Sequence, residues 1–189
     1  MRLVLLGPPG AGKGTQSAWL IDYLKIPHLS TGDMLRQAAQ QDDPTGLEVR
    51  QYLEGGCLVP DPIVLGIVEQ RLSEPDCARG YLLDGFPRTI AQAEALDTQL
   101  AAEGTPLDAV LELDVDEHRL TERLMGRNRP DDRPEIVPQR LQVYRRQTAP
   151  LLNYYFHQGI LRSIDGNGTT SQVQSKIKSI VDHIGEKQA

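Results

Sequence analysis

Residues 2–15 read RLVLLGPPGAGKGT. Four apolar residues, Leu3 to Leu6, run straight into a glycine-rich stretch and a lysine, and no other segment limits the fold so tightly. A short apolar run ended by glycine is a buried strand. The glycines of residues 7–12 let the backbone curl so that several N–H groups converge on one anion. They do so at a helix N-terminus, where the dipole favours negative charge. Lys13 adds a full positive charge. The order of strand, glycine loop and helix matches G-x-x-x-x-G-K-[ST], a cradle for polyphosphate. Gly7, Gly12 and Lys13 are in register, but Gly14 stands where Ser or Thr would hold a metal ion. The first hydroxyl comes one place later, at Thr15. Without that hydroxyl the ion needs another ligand. Asp84 ends the hydrophobic run GYLLDGFP (80–87) and is the candidate, acting through water, because Mg²⁺ keeps much of its hydration shell.

The rest of the chain alternates strand and helix. Strands are expected at 26–30, 80–87, 109–115 and 161–166, besides 2–7. Helices are expected from Lys13 to Leu24, from a Thr31 cap through Ala39, and over 47–56, with a turn at 42–46. Asp61 followed by Pro62 predicts an N-cap and first helical residue for the next helix. Further helices are expected from Thr89 to Leu100 and from an Asp116 cap to Met125. A long one should follow the polar segment 126–134 and run to Gln158, bent or broken at Pro150. The last spans Val173 to Ile184. This is an α/β pattern: a five-stranded parallel sheet flanked by helices, in one domain over 1–189. Ligands of such sheets bind beyond the carboxyl ends of the strands. GPPGAGKGT, LSTGD, DGFPR and DVDE all fall there.

Composition excludes several classes. A net charge of −6 argues against a general nucleic-acid or anionic-membrane binder. No apolar run approaches the ~18 residues of a membrane span. Cys57 and Cys77 lack metal-ligand spacing and read as free thiols in a reducing cytosol. Between Ile26 and Ser175 there is no lysine but there are fourteen arginines, seven of them from Arg123 to Arg146. Exposed arginine is ordinary. A cluster also suits a phosphate clamp, since the planar guanidinium grips two oxygens at once.

Three stretches, GPPGAGKGT, LSTGDMLR (29–36) and LLDGFPRT (82–89), together resemble the adenylate kinases. That family carries Gly at the position of Gly14, with Thr next. The likeness continues through CLVPD (57–61), QRLQVY (139–144), TAPLLNYY (148–155) and IDG (164–166), and so covers essentially the whole chain. It implies the P-loop nucleoside monophosphate kinase fold, with a helical AMP-binding insertion over 30–59 and a lid over 127–137. The lid is too short for a β-domain or a structural zinc. The implied reaction is Mg-dependent transfer from ATP to AMP, giving two ADP, by a cytoplasmic monomer.

By motif position, the resemblance puts ATP on Gly10, Ala11, Gly12, Lys13, Gly14 and Thr15. Arg123 would lie along the base and Arg127 on the phosphates. Gly168 stands where many long-lid members have lysine, so a contact there would be through its backbone. AMP would lie against Thr31, Arg36, Cys57, Leu58, Val59, Gly85, Phe86, Pro87, Arg88 and Gln92. Arg129 and Arg140 would bridge toward the transferring group and AMP. Catalysis would rest on Lys13, Arg88, Arg127, Arg129 and Arg140, with Asp84 on the metal through water. Thr31 and Gln92 favour AMP over UMP or CMP, for which similar kinases tend to carry Ala and Asn. An amide donates to and accepts from an adenine edge together. Thr89 to Gln92 also fits a capping box, S/T-x-x-Q, a purely structural use of the same residues. Pro138 replaces a residue that is usually helical and often basic; it either starts a helix or bends one near Arg140.

Overall fold

A computed structural model describes residues 1–125 and 135–186. Strand β1 (Arg2–Leu6) leads through the glycine loop into α1 (Lys13–Leu24). Then come β2 (His28–Ser30), α2 (Thr31–Ala38), α3 (Pro44–Glu54), α4 (Asp61–Leu72) and a 3₁₀ turn at Pro75–Arg79. Next are β3 (Tyr81–Asp84), α5 (Ile90–Ala102), β4 (Ala109–Asp114) and α6 (Glu117–Met125). The chain ends with α7 (Val137–Val143), a π-helical turn (Tyr144–Thr148), α8 (Pro150–His157), β5 (Leu161–Asp165) and α9 (Thr170–Glu186).

The sheet is wholly parallel, in the order β2-β3-β1-β4-β5. Side chains of a strand alternate between faces, and both faces are apolar. Val4, Leu6, Leu83 and Val110 join a core with residues of α2 to α5 and α8. Leu3, Leu5, Leu82 and Leu111 join a second core with α1, α6 and α9. Strands buried on both sides cannot alternate with polar residues, which is why RLVLL and YLLD read as continuous apolar runs. Helix α4 contributes to one core but is only 12 residues long. No helix among the described residues is long and apolar enough to cross a membrane.

Several boundaries differ from expectation. Ser30, not Thr31, caps α2, its hydroxyl accepting from Asp33 N at 3.3 Å. Thr31 is instead 1% exposed and donates its hydroxyl to Asp84 O at 3.1 Å. The expected turn at 42–46 is the start of α3: Asp43 accepts from Gly46 N at 2.7 Å, and Pro44 is the first helical residue. Pro60, not Asp61, stands at the cap position of α4, without a side-chain cap. Pro138 starts a helix rather than bending one, lying in the first turn of α7. The long helix breaks just before Pro150. That residue lacks an N–H and its ring crowds the carbonyl four residues back. The turn widens to π, with Ala149 N donating to Tyr144 O at 2.9 Å.

Candidate active site

The glycine loop joins the end of central strand β1 to α1. Gly10 has φ +85°, and a Cβ there would stand 2.8 Å from Leu120 O and 3.0 Å from Leu124 Cγ. Glycine therefore lets the loop lie directly on α6. Gly12, at φ +95°, is the cap residue of α1. Lys13 Nζ donates to Gly7 O at 2.6 Å and Pro8 O at 3.2 Å, which ties the ammonium across the loop. A Cβ on Gly14 would meet nothing within 4 Å, so packing within the chain does not demand glycine there. Arg123 reaches from α6 to Ala11 O and Gly166 O, both at 3.3 Å. The turn that carries Gly168 is fastened beside it, Asp116 N donating to Asn167 Oδ1 at 3.0 Å.

Asp84 ends β3, next to β1, at the foot of this loop. Its Oδ2 accepts from Ser17 Oγ at 3.3 Å and lies 3.4 Å from His28 Nε2. Burial alone pushes this carboxyl up. The His28 hydrogen bond, the Lys13 charge and the Ser17 hydroxyl outweigh it and hold Asp84 below the usual carboxylate range. Ser17 sits one helical turn after Lys13, on the same face of α1. Neither it nor His28 carries a motif signal of its own, and only the fold brings them to Asp84. Among the described residues no group of three or more His, Cys, Asp or Glu could hold a metal ion by itself. One charged carboxylate on a wall shared with a phosphate loop fits a hard cation that keeps its water and takes ligands from phosphate.

One continuous cleft runs from the loop across the carboxyl ends of the strands. Gly10 to Gly14, Asp84, Thr31, Arg36, Arg88 and Gln92 all line it. Cys57, Leu58, Val59, Gly85, Pro87 and Arg140 also line it. Arg36 is paired with Asp33 within α2. Arg88 donates Nε to Gly85 O at 2.7 Å, and its own carbonyl accepts from Thr148 Oγ1 at 3.0 Å. Thr15, Arg123 and Gly168 are not on the cleft wall. Phe86 is fully buried in the core and does not line the cleft. Arg127 and Arg129 lie outside the described residues, as does most of the expected lid.

Gln92 satisfies half of the capping box. Thr89 caps α5, accepting from Gln92 N at 3.2 Å. The Gln92 amide does not return to Thr89 N. Its Oε1 accepts from Arg88 N at 2.8 Å, and its Nε2 donates to Asp61 Oδ1 at 2.6 Å. Asp61 Oδ2 also accepts from Thr89 Oγ1 at 3.0 Å. The carboxylate read from the sequence as a helix cap is thus part of the setting of the cleft.

A family model described as adenylate kinase matches residues 5–160. The chain is 48% identical to an adenylate kinase of Methylorubrum populi, over 99% of this chain and 98% of the relative. It is 50% identical to one of Cyanothece sp., over 98% of both chains. Against one of Xanthomonas campestris it is 50% identical, over 94% of this chain and 97% of the relative.

Proposed function

The chain belongs to the adenylate kinase family, and from that premise we propose how its cleft transfers a phosphoryl group from ATP to AMP, giving two ADP. One observation carries the reading. A single cleft is lined both by a phosphate loop with Lys13 and by Arg36, Arg88 and an amide, Gln92. Two cationic groups sharing one cleft suit two nucleotides laid phosphate to phosphate.

Their combined negative charge is the main obstacle. Positioning and charge neutralisation therefore matter more than acid or base. The loop N–H groups and Lys13 hold the β- and γ-phosphates of ATP. Arg36 and Arg88 hold the phosphate of AMP, Arg88 fixed through Gly85 O. An AMP phosphate oxygen bonds to the γ-phosphorus as the bond to the βγ-bridging oxygen breaks. The acceptor oxygen carries no proton that must be removed, so no general base is needed. Asp84 would hold Mg²⁺ through water, and the ion would supply positive charge to offset that of the phosphates. Arg140, with Arg127 and Arg129 by motif position, completes the clamp. Residues 30–59 would close over AMP, and closure would keep water from the γ-phosphate. Thr31 and Gln92 favour adenine as the acceptor base. The two free thiols, Cys57 and Cys77, suit a reducing cytoplasm. We take the working unit to be a monomer.

The test is product analysis by chromatography. The purified chain is incubated with Mg·ATP and, separately, AMP, CMP, UMP or GMP, beside an Arg88→Ala variant. Rapid ADP formation with AMP alone, lost in the variant, supports the reading. Better use of CMP or UMP overturns the base assignment. Release of phosphate without an acceptor overturns the transfer reaction.

A further inference from the structure

A glutamine cannot choose a base by itself. Turned over about its last bond, the amide exchanges its oxygen and its NH₂ with almost no change of shape. The 6-amino edge of adenine offers a donor at N6 beside an acceptor at N1. The 6-oxo edge of hypoxanthine offers an acceptor at O6 beside a donor at N1. One amide orientation matches the first edge, and the other matches the second. Selectivity therefore depends on what holds the amide.

Gln92 is 2% exposed and is held from both sides. Its Oε1 accepts from Arg88 N at 2.8 Å, and a backbone N–H can only donate. Its Nε2 donates to Asp61 Oδ1 at 2.6 Å, and a carboxylate can only accept. Turning the amide over would set oxygen against carboxylate and NH₂ against N–H, two repulsive contacts in a buried site. In the observed orientation one N–H and one lone pair remain for a ligand. Asp61 is itself anchored, since Thr89 Oγ1 donates to its other oxygen at 3.0 Å. It opens the first turn of α4, where the helix dipole favours a carboxylate. Asp61 does not line the cleft itself, but Gln92, to which it is bonded, does.

We propose that Asp61 is a positioning residue for base choice: it locks the Gln92 amide in the orientation that accepts a 6-aminopurine monophosphate and rejects a 6-oxopurine. This rests on the reading of the chain as an AMP phosphotransferase. The test compares AMP with inosine monophosphate as acceptors, in the wild type and in Asp61→Asn. Asparagine keeps the shape but can offer Gln92 either an oxygen or an NH₂, so one of the two locks is released. A charged hydrogen bond lost on one side lowers the kcat/KM ratio of AMP to inosine monophosphate roughly ten- to a hundredfold. The change comes mainly from a gain with inosine monophosphate. Both acceptors are measured on one preparation, so the ratio does not depend on how much of the variant is folded. Asp61→Ser, whose hydroxyl can also donate or accept, moves the ratio the same way. If both rates fall together and the ratio holds in both variants, Asp61 only fastens α4 to α5, and the proposal is wrong. If the wild type does not phosphorylate AMP, the phosphotransfer reading fails first, and the proposal goes with it.

Discussion

Gly85 follows β3 with φ +85° and lies against two of the groups proposed to receive AMP. In Gly85→Ala the new Cβ would stand 2.8 Å from Thr31 Oγ1 and 3.1 Å from Arg88 Nη2. Two costs add. Holding an L-residue in left-handed backbone costs about 1–2 kcal/mol. Thr31 is 1% exposed and bonded to Asp84 O at 3.1 Å, so its hydroxyl moves only by losing a buried hydrogen bond, about 1 kcal/mol more. Arg88 gives way more cheaply, being the end of a flexible side chain. The sum is about 2–3 kcal/mol. At about 2–4 °C per kcal/mol for a chain of this size, the melting temperature falls by roughly 5–10 °C. Both displaced groups are among those proposed to hold AMP. The KM for AMP should therefore rise about tenfold, the effect of one lost contact to a charged group, while the KM for ATP hardly moves. Two-substrate initial rates and thermal melts measure both effects. Gly80→Ala is the reference: φ +124°, with a Cβ only 2.1 Å from Met1 O and away from the cleft. It should destabilise more and shift neither KM. Equal rises in the two KM values for Gly85→Ala, or a lower melting point with both KM values intact, would refute the assignment of Thr31 and Arg88 to AMP.

Two further outcomes follow from the charges. Asp84→Asn keeps the shape of a carboxylate held below its usual range but removes its charge. The Mg²⁺ concentration for half-maximal rate should rise roughly tenfold, with metal-free ATP binding unchanged; an unaltered Mg²⁺ titration removes Asp84 from the metal's surroundings. Asp165 is held down to about 2 by the Lys176 ammonium and then by Asn167 N. Its folded pKa is depressed, so its contribution to stability is complete above about pH 4 and fades as pH falls toward 2. Melting curves of the wild type and Lys176→Met should differ by a small, salt-screened amount at pH 5 and converge near pH 2; a constant gap across that window contradicts the pairing.

The parts of this protein that were legible in its sequence are those whose partners are near in the chain. RLVLLGPPGAGKGT carries a strand, a loop and a helix start in consecutive residues. The sheet follows from apolar runs that need no partner to be recognised. The cleft was legible because parallel strands deliver their ends to one edge. Ser17, His28 and Asp61 were not, since each acts on a residue 28 to 67 positions away. Arg127 and Arg129, which fall outside the described residues, still rest on motif position alone.

The dipeptide Asp-Pro makes the limit plain, because it occurs at two helix starts with two outcomes. At Asp43-Pro44 the aspartate is the cap, bonding Gly46 N, and proline is the first helical residue. At Asp61-Pro62 the same two residues lie one place further into the helix, behind Pro60. Local preference was the same at both sites. What differs is the neighbourhood. Asp43 is exposed and, among the described residues, bonds within its own helix. Asp61 meets the Thr89 hydroxyl and the Gln92 amide, which offer two hydrogen bonds in place of one backbone N–H. A carboxylate with two tertiary donors leaves the cap, and the residue so released is the one that sets the orientation of Gln92. Failures of a strong local rule are expected at functional or strained sites, and this one lies beside the cleft.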